Sequence, residues 1–125
     1  MTHLLKQYQE FQKQTEKKNF DLKYMAIGWA GEVGEVLNEI KKIERDDNGV
    51  LTPHKKKLLI EEMGDSFWYL SGICNKIGCS LEDIIKSNQT KLSKHSSIQH
   101  EIDINDPMGN YSNHDNDVNR GCFNY

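Results

Sequence analysis

Glu32 and Glu35 stand three residues apart in Gly31-Glu32-Val33-Gly34-Glu35, and Glu62 and Asp65 stand three apart in Glu62-Met63-Gly64-Asp65. Residues three apart on a helix share a face, so each pair presents two carboxylates to one side. If the two helices pack together, four carboxylates face one volume. At about 4 Å, each like-charge pair repels by roughly 4 kcal/mol at an effective dielectric of 20, so such a cluster calls for a cation. Hard oxygen ligands suit Mg²⁺ or Mn²⁺, which keep waters and recruit phosphate groups. The chemistry on offer is polarisation of a phosphoryl oxygen and activation of bound water.

Taken singly, each acid is more simply a solvated residue paired with Lys41, Lys42 or Arg45, because exposed carboxylates are the rule. Two matched pairs argue otherwise. So do Gly31, Gly34 and Gly64, each costing about 1 kcal/mol relative to alanine inside a helix. Glycine beside both pairs indicates room for a close neighbour, either a helix or a phosphate. On a helical wheel, Trp29, Val33, Val36 and Ile40 form an apolar stripe with Glu32, Glu35 and Glu39 along its edge. Leu59, Met63, Leu70 and Ile77 form a second stripe, bordered by Asp65 and Tyr69. Glu39 is a candidate extra ligand or base. Glu61 points about 100° away from Glu62 and reads as a surface acid.

The elements that must position these groups are helices. Leu4, Leu5, Tyr8, Phe11 and Gln12 recur at three-to-four spacing and predict a helix over Thr2 to Lys17. The second helix runs from Leu22 to Glu44 and stops at Asp46-Asp47-Asn48-Gly49. Thr52-Pro53 reads as a cap with proline at the first helical position, opening a third helix that Gly78 closes after Ile77. Ser80 caps a fourth helix to about Lys94. No alternating run long enough for a strand and no internal repeat are present. The expectation is an all-α four-helix bundle over residues 1–93, followed by an irregular polar tail or arm over 94–125.

The charge is unevenly divided. Residues 1–93 hold 14 Lys+Arg and 14 Asp+Glu, so the net charge of −3 sits in the tail, where Lys94 and Arg120 face five acids. A basic footprint for nucleic acid is missing, and Lys55-Lys56-Lys57 reads as a solvated helix start. No stretch of about 18 apolar residues exists to span a membrane. The first residues lack an apolar signal core, which argues against that route of secretion. Cys74, Cys79 and Cys122 are an odd set without zinc spacing, expected as reduced thiols in the cytoplasm. About 90 residues in four helices bury only some two-thirds of their unfolded surface. With Trp29 and Trp68 read as core residues on broad stripes, a homodimer or homotetramer sharing helix faces is expected.

The ordered set Glu32/Glu35, a spacer of 26 residues (36–61), then Glu62/Asp65, continuing into Trp68-Tyr69-Leu70, Ser80-Leu81-Glu82-Asp83-Ile84 and Asn88-Gln89-Thr90-Lys91, resembles the MazG-like all-α nucleoside triphosphate pyrophosphohydrolases over about residues 20–93. The resemblance implies an oligomeric helical bundle that hydrolyses a (d)NTP to the monophosphate and pyrophosphate with Mg²⁺ (or Mn²⁺). Position by position, it implies Glu32, Glu35, Glu62 and Asp65 as metal ligands and catalytic carboxylates. It implies Asn88 and Lys91 as a triphosphate-facing pair, and Tyr69 as an aromatic near the nucleotide. Asn88 shares a face with Leu81, Ile85 and Leu92, so its amide is either a buried structural hydrogen bond or a substrate contact. The segment before the second helix carries no base-recognition signature, and the tail has no counterpart in the family. The alternative is a non-catalytic oligomer that senses nucleotides or binds a basic protein through its acidic edge. A decayed site would have lost a carboxylate, and all four are present.

Overall fold

The helix boundaries follow from side chains that satisfy the otherwise unpaired ends of the helical backbone. In the computed structural model, which describes residues 2–105 and the side chains of 3–95, the order is α1 (Thr2–Thr15), α2 (Leu22–Asp46), α3 (Pro53–Ile77) and α4 (Leu81–Asn105). No strand occurs among the described residues. Asp21 caps α2 by accepting the Tyr24 N–H at 2.8 Å. The α2–α3 turn passes through two left-handed residues, Asn48 (φ 54°) and Gly49 (φ 75°). Thr52 caps α3 through the Lys55 N–H at 3.2 Å, with Pro53 opening the helix. Gly78 (φ 76°) closes it with its N–H on the Cys74 carbonyl.

The fourth helix is longer than expected. It runs past Lys94 to Asn105, so the irregular tail does not begin at residue 94. The reason is local. Residues 81–105 contain neither proline nor glycine, and the first proline beyond them is Pro107, which disfavours helix in the residue before it. The remainder of the expected arm, 106–125, lies outside the described residues.

The chain divides after Glu82 into two compact units. In the first, α3 packs against both α2 and α1. The α1–α3 contact is largely polar. The Gln9 amide donates to Asn75 Oδ1 and to the Cys79 carbonyl, both at 2.9 Å, and its oxygen accepts the Leu81 N–H at 2.9 Å. Asn75 in turn donates to Gln12 Oε1 at 2.8 Å. Lys76 reaches Glu16 at 2.8 Å, and the Trp68 indole donates to Thr15 at 2.8 Å. Gln12, wholly buried, is held by this network rather than by apolar packing.

The apolar interior is thin. Met25, Ile43, Cys74 and Leu81 are the buried hydrophobic residues among those described. The face of α2 turned toward α3 carries Met25, Glu39 and Ile43, so it runs along the acidic edge, not through the apolar stripe. Trp29, Val33 and Ile40 of that stripe stay exposed in the single chain, Trp29 by 39%. This corrects the reading of Trp29 as core. Trp68 is half-buried.

The close approach of helices also falls elsewhere than expected. A Cβ at Gly31, Gly34 or Gly64 would meet nothing within 4 Å in this chain. Gly28 is the crowded position, because the Tyr69 ring occupies the place its Cβ would take. Gly28→Ala should therefore destabilise the fold by about 1–3 kcal/mol, the usual scale of overpacking. Urea denaturation of Gly28→Ala, Tyr69→Ala and the double variant checks this, and the cost of Gly28→Ala should shrink in the Tyr69→Ala background.

Candidate metal centre

The α2–α3 seam is antiparallel, as its contacts show. Met25 lies against Gly72, where a Cβ would come within 3.0 Å of the Met25 Sδ. One turn on, Gly28 lies beneath Tyr69. Next, Glu32 meets Glu62 and Asp65. Further along, the Glu39 carboxylate stands 3.9 Å from the Lys55 ammonium. Positions rise along α2 as their partners fall along α3. This register brings Glu32 of the first acidic pair against both members of the second.

Oxygens of Glu32, Glu62 and Asp65 all lie within 4.8 Å of one another. Octahedral Mg²⁺ with ligands at about 2.1 Å sets neighbouring oxygens roughly 3 Å apart and opposite ones roughly 4.2 Å. The triplet is thus near the size of one hard divalent ion, reachable by small side-chain adjustments. Glu32 and Glu62 are half-buried and Asp65 is exposed, which leaves an open side for waters or phosphate. Glu35 is outside the triplet but acts on it electrostatically, since its charge raises the pKa of both Glu32 and Glu62.

The electrostatics of the cluster are those of crowded like charges. Burial, then Asp65, Glu62 and Glu35, push the Glu32 carboxyl above the usual carboxylate range. Burial, then Asp65, Glu35 and Glu39, do the same to Glu62, and Lys42 opposes them. Tyr69 is raised first by burial, with Tyr24, Glu32 and Asp65 acting in the same direction. Burial and Asp65 raise Tyr8 as well. Tyr69 and Tyr8 therefore stand within electrostatic reach of Asp65, and Tyr24 acts on Tyr69; sequence reasoning singled out neither Tyr8 nor Tyr24 for the site. Tyr24 could have been found from the antiparallel register, being one turn before Gly28. Nothing in its spacing singles out Tyr8. Phe20 stacks on Tyr24 with ring centres 3.9 Å apart.

Glu39 is neither an open ligand nor an available base. It is 6% exposed and bonds the Lys42 ammonium at 2.6 Å. That bond, with the charges of Lys42, Lys55 and His54, holds its carboxyl below the usual range. Glu61 is exposed. Asn88 and Lys91 lie one turn apart on α4, in the second unit, and both are exposed. The Asn88 amide is therefore not buried in the single chain.

Adjacent antiparallel helices thus carry an E-x-x-E and an E-x-x-D pair along one seam of an all-helical unit. The MazG nucleotide pyrophosphohydrolase domain matches residues 14–98, and the chain belongs to that family. Similar proteins include the gene 37 protein of Mycobacterium phage L5, 38% identical over 71 residues, covering 57% of this chain and 62% of that protein. Another is the uncharacterized protein YvdC of Bacillus subtilis (strain 168), 36% identical over 67 residues, covering 52% of this chain and 63% of that one. The chain thus spans a little under two-thirds of either relative's length. No solved structure matches it.

The raised carboxyl of Glu32 has a consequence for stability. A group whose pKa is higher in the folded state stabilises the fold below its unfolded pKa and loses that contribution as pH rises through the folded value. In metal-free protein, Glu32→Gln should leave the melting temperature unchanged near pH 4, where Glu32 is already protonated. The variant should gain over wild type as pH rises toward 7. Calorimetric scans in chelator across that range check the divergence.

Proposed function

We propose that this chain is a Mg²⁺-dependent nucleoside triphosphate pyrophosphohydrolase, converting a (d)NTP to its monophosphate and pyrophosphate in the housekeeping of a cytoplasmic nucleotide pool. The observation that carries this reading is the convergence of Glu32, Glu62 and Asp65 on a volume near the size of one divalent ion, with Glu35 beside it. A bound divalent ion there supplies positive charge to phosphoryl oxygens and lowers the pKa of water. Glu32, Glu62 and Asp65 would hold it, with Glu35 completing the acidic set. Tyr69, packed over Gly28, offers an apolar ring beside the carboxylates for the nucleoside. Asn88 and Lys91 are the family positions for a triphosphate contact from α4.

The equal numbers of basic and acidic residues over 1–93 support a small-molecule substrate over nucleic acid. No helix among the described residues is long and apolar enough to cross a membrane.

A second copy of the chain completes the reading. Trp29, Val33, Leu37 and Ile40 on α2, with Ile60 and Met63 on α3, are exposed large hydrophobics. The open glycines Gly31, Gly34 and Gly64 lie on the same two helices and admit a close neighbour. A monomer with so thin a core gains stability by covering this surface. Light scattering at micromolar concentration should give a homodimer or homotetramer, and a stable 14.5 kDa species would contradict it.

The activity itself is tested by release of pyrophosphate from a panel of dNTPs and NTPs with and without Mg²⁺. Glu35→Gln keeps shape but removes one charge, and turnover should fall by about 100-fold or more, the scale of losing a preorganised electrostatic contact. Glu61→Gln, on an exposed position off the seam, should retain wild-type turnover. Equal turnover in Glu35→Gln and wild type across Mg²⁺ concentrations would remove the basis for the carboxylate site.

A further inference from the structure

The two ends of the acidic set are chemically unlike. Toward the start of α2 the seam is aromatic, with Tyr69 over Gly28 and Tyr24 stacked on Phe20 one turn before. Toward the α2–α3 turn it is cationic. There the Glu39 carboxylate is almost fully buried, with Lys42 Nζ at 2.6 Å on one oxygen and Lys55 Nζ at 3.9 Å from the other. The second oxygen is buried with no hydrogen-bond partner in the chain. A buried carboxylate is costly unless it is paired, so its retention here has a use, and that use is visible in what it holds. Each ammonium carries three donors, and Glu39 takes one from Lys42. The Lys42 ammonium also acts on Glu35 and Glu62, the two acids nearest that end. Its side chain is 35% exposed, open enough to meet a ligand, while that of Lys55 is 15% exposed and better fixed.

We propose that Lys42 and Lys55, anchored on Glu39, form the subsite for the β- and γ-phosphates, and hence for the leaving pyrophosphate, of a nucleoside triphosphate laid along the α2–α3 seam. Its nucleoside end then points toward Tyr69 and Tyr24. This assignment rests on the hydrolase reading above and gives it a direction. The triphosphate brings about four negative charges to a site already rich in carboxylates, and the metal charge alone leaves the outer phosphates uncompensated. A lysine is the common point-charge partner for such oxygens. Glu39 is a positioning residue: it keeps the ammonium groups beside the carboxylates without touching substrate. As pyrophosphate departs, the charge it accumulates falls at the cationic end.

The probe is inorganic pyrophosphate. With full-length wild type, Lys42→Met, Lys42→Arg, Lys55→Met and Glu39→Gln, inhibition by pyrophosphate, inhibition by the nucleoside monophosphate, KM and kcat are measured, together with Mn²⁺ binding by calorimetry. In Lys42→Met the pyrophosphate inhibition constant and KM should rise by about 10- to 100-fold, the scale of a charge-assisted hydrogen bond. Monophosphate inhibition should stay within about twofold, and Mn²⁺ should bind at least as tightly as in wild type. Lys42→Arg should recover most of the pyrophosphate affinity, and Lys55→Met should lose it in the same sense. Glu39→Gln should weaken pyrophosphate inhibition while Mn²⁺ still binds. If Lys42→Met is folded and hydrolyses the substrate with unchanged pyrophosphate inhibition, the subsite is overturned. The same holds if monophosphate and pyrophosphate inhibition fall together, or if Mn²⁺ binding alone changes, since the lysines would then serve only as counter-charges to the acids. Failure of wild type to hydrolyse any triphosphate would instead overturn the hydrolase reading, so the two failures are distinguishable.

Discussion

Crowding of like charge on the α2–α3 seam is the constraint around which the first unit is built. Glu32, Glu62 and Asp65 are brought together by packing two helices along their acidic edges, and the repulsion raises the pKa of Glu32 and Glu62. A fold that maximised its own stability would turn these edges to water and bury Trp29, Val33 and Ile40 instead. In the single chain Glu39 is buried, Glu32 and Glu62 are half-buried, and Trp29, Val33 and Ile40 stay exposed with Glu35 and Asp65. Like charge held this close shows as displaced titration of Glu32 and Glu62.

The rest of the unit compensates locally. At one end of the seam Glu39 carries its own counter-ions, Lys42 and Lys55. At the other, a glycine allows an aromatic ring to cross the helix in van der Waals contact. The α1–α3 contact is stabilised by saturated amides, with every polar atom of Gln9 bonded and Gln12 held by Asn75. Such networks specify one docking of α1 more sharply than apolar packing would, because a shifted register leaves buried donors unpaired. The position of Asp65 and Tyr69 relative to α2 is set separately, by the α2–α3 contact of Met25 with Gly72 and of Gly28 with Tyr69.

The apolar stripe is also informative by its exposure. Trp29, Leu37, Ile60 and Met63 are too large and too many to be incidental on a small helical unit. The same helices thus present two chemically distinct surfaces, one carboxylate-lined and inward, one hydrophobic and outward. The proposed catalytic site and the proposed contact with a second copy therefore use different faces of one helix pair.

Much of this was legible in the chain itself. Local chemistry determined the helices: Asp21, Thr52-Pro53 and Gly78 each satisfy or terminate helical backbone within a few residues, so their positions are readable without knowing the neighbours. The spacing of Glu32/Glu35 and Glu62/Asp65 is likewise local, and it identifies the family. Polar composition alone does not end a helix, so α4 continues past Lys94 to Asn105 through a segment free of proline and glycine. What tertiary structure alone decided is which face of α2 meets α3. An apolar stripe and an acidic edge lie side by side on the wheel, and periodicity cannot say which of them is covered by this chain and which is left for another. The roles of Gly28 and Glu39 depend on the antiparallel register. One needs Tyr69 from 41 residues away and the other Lys55 from 16, and a contact between positions so separated is set by packing, not by any pattern within a helix.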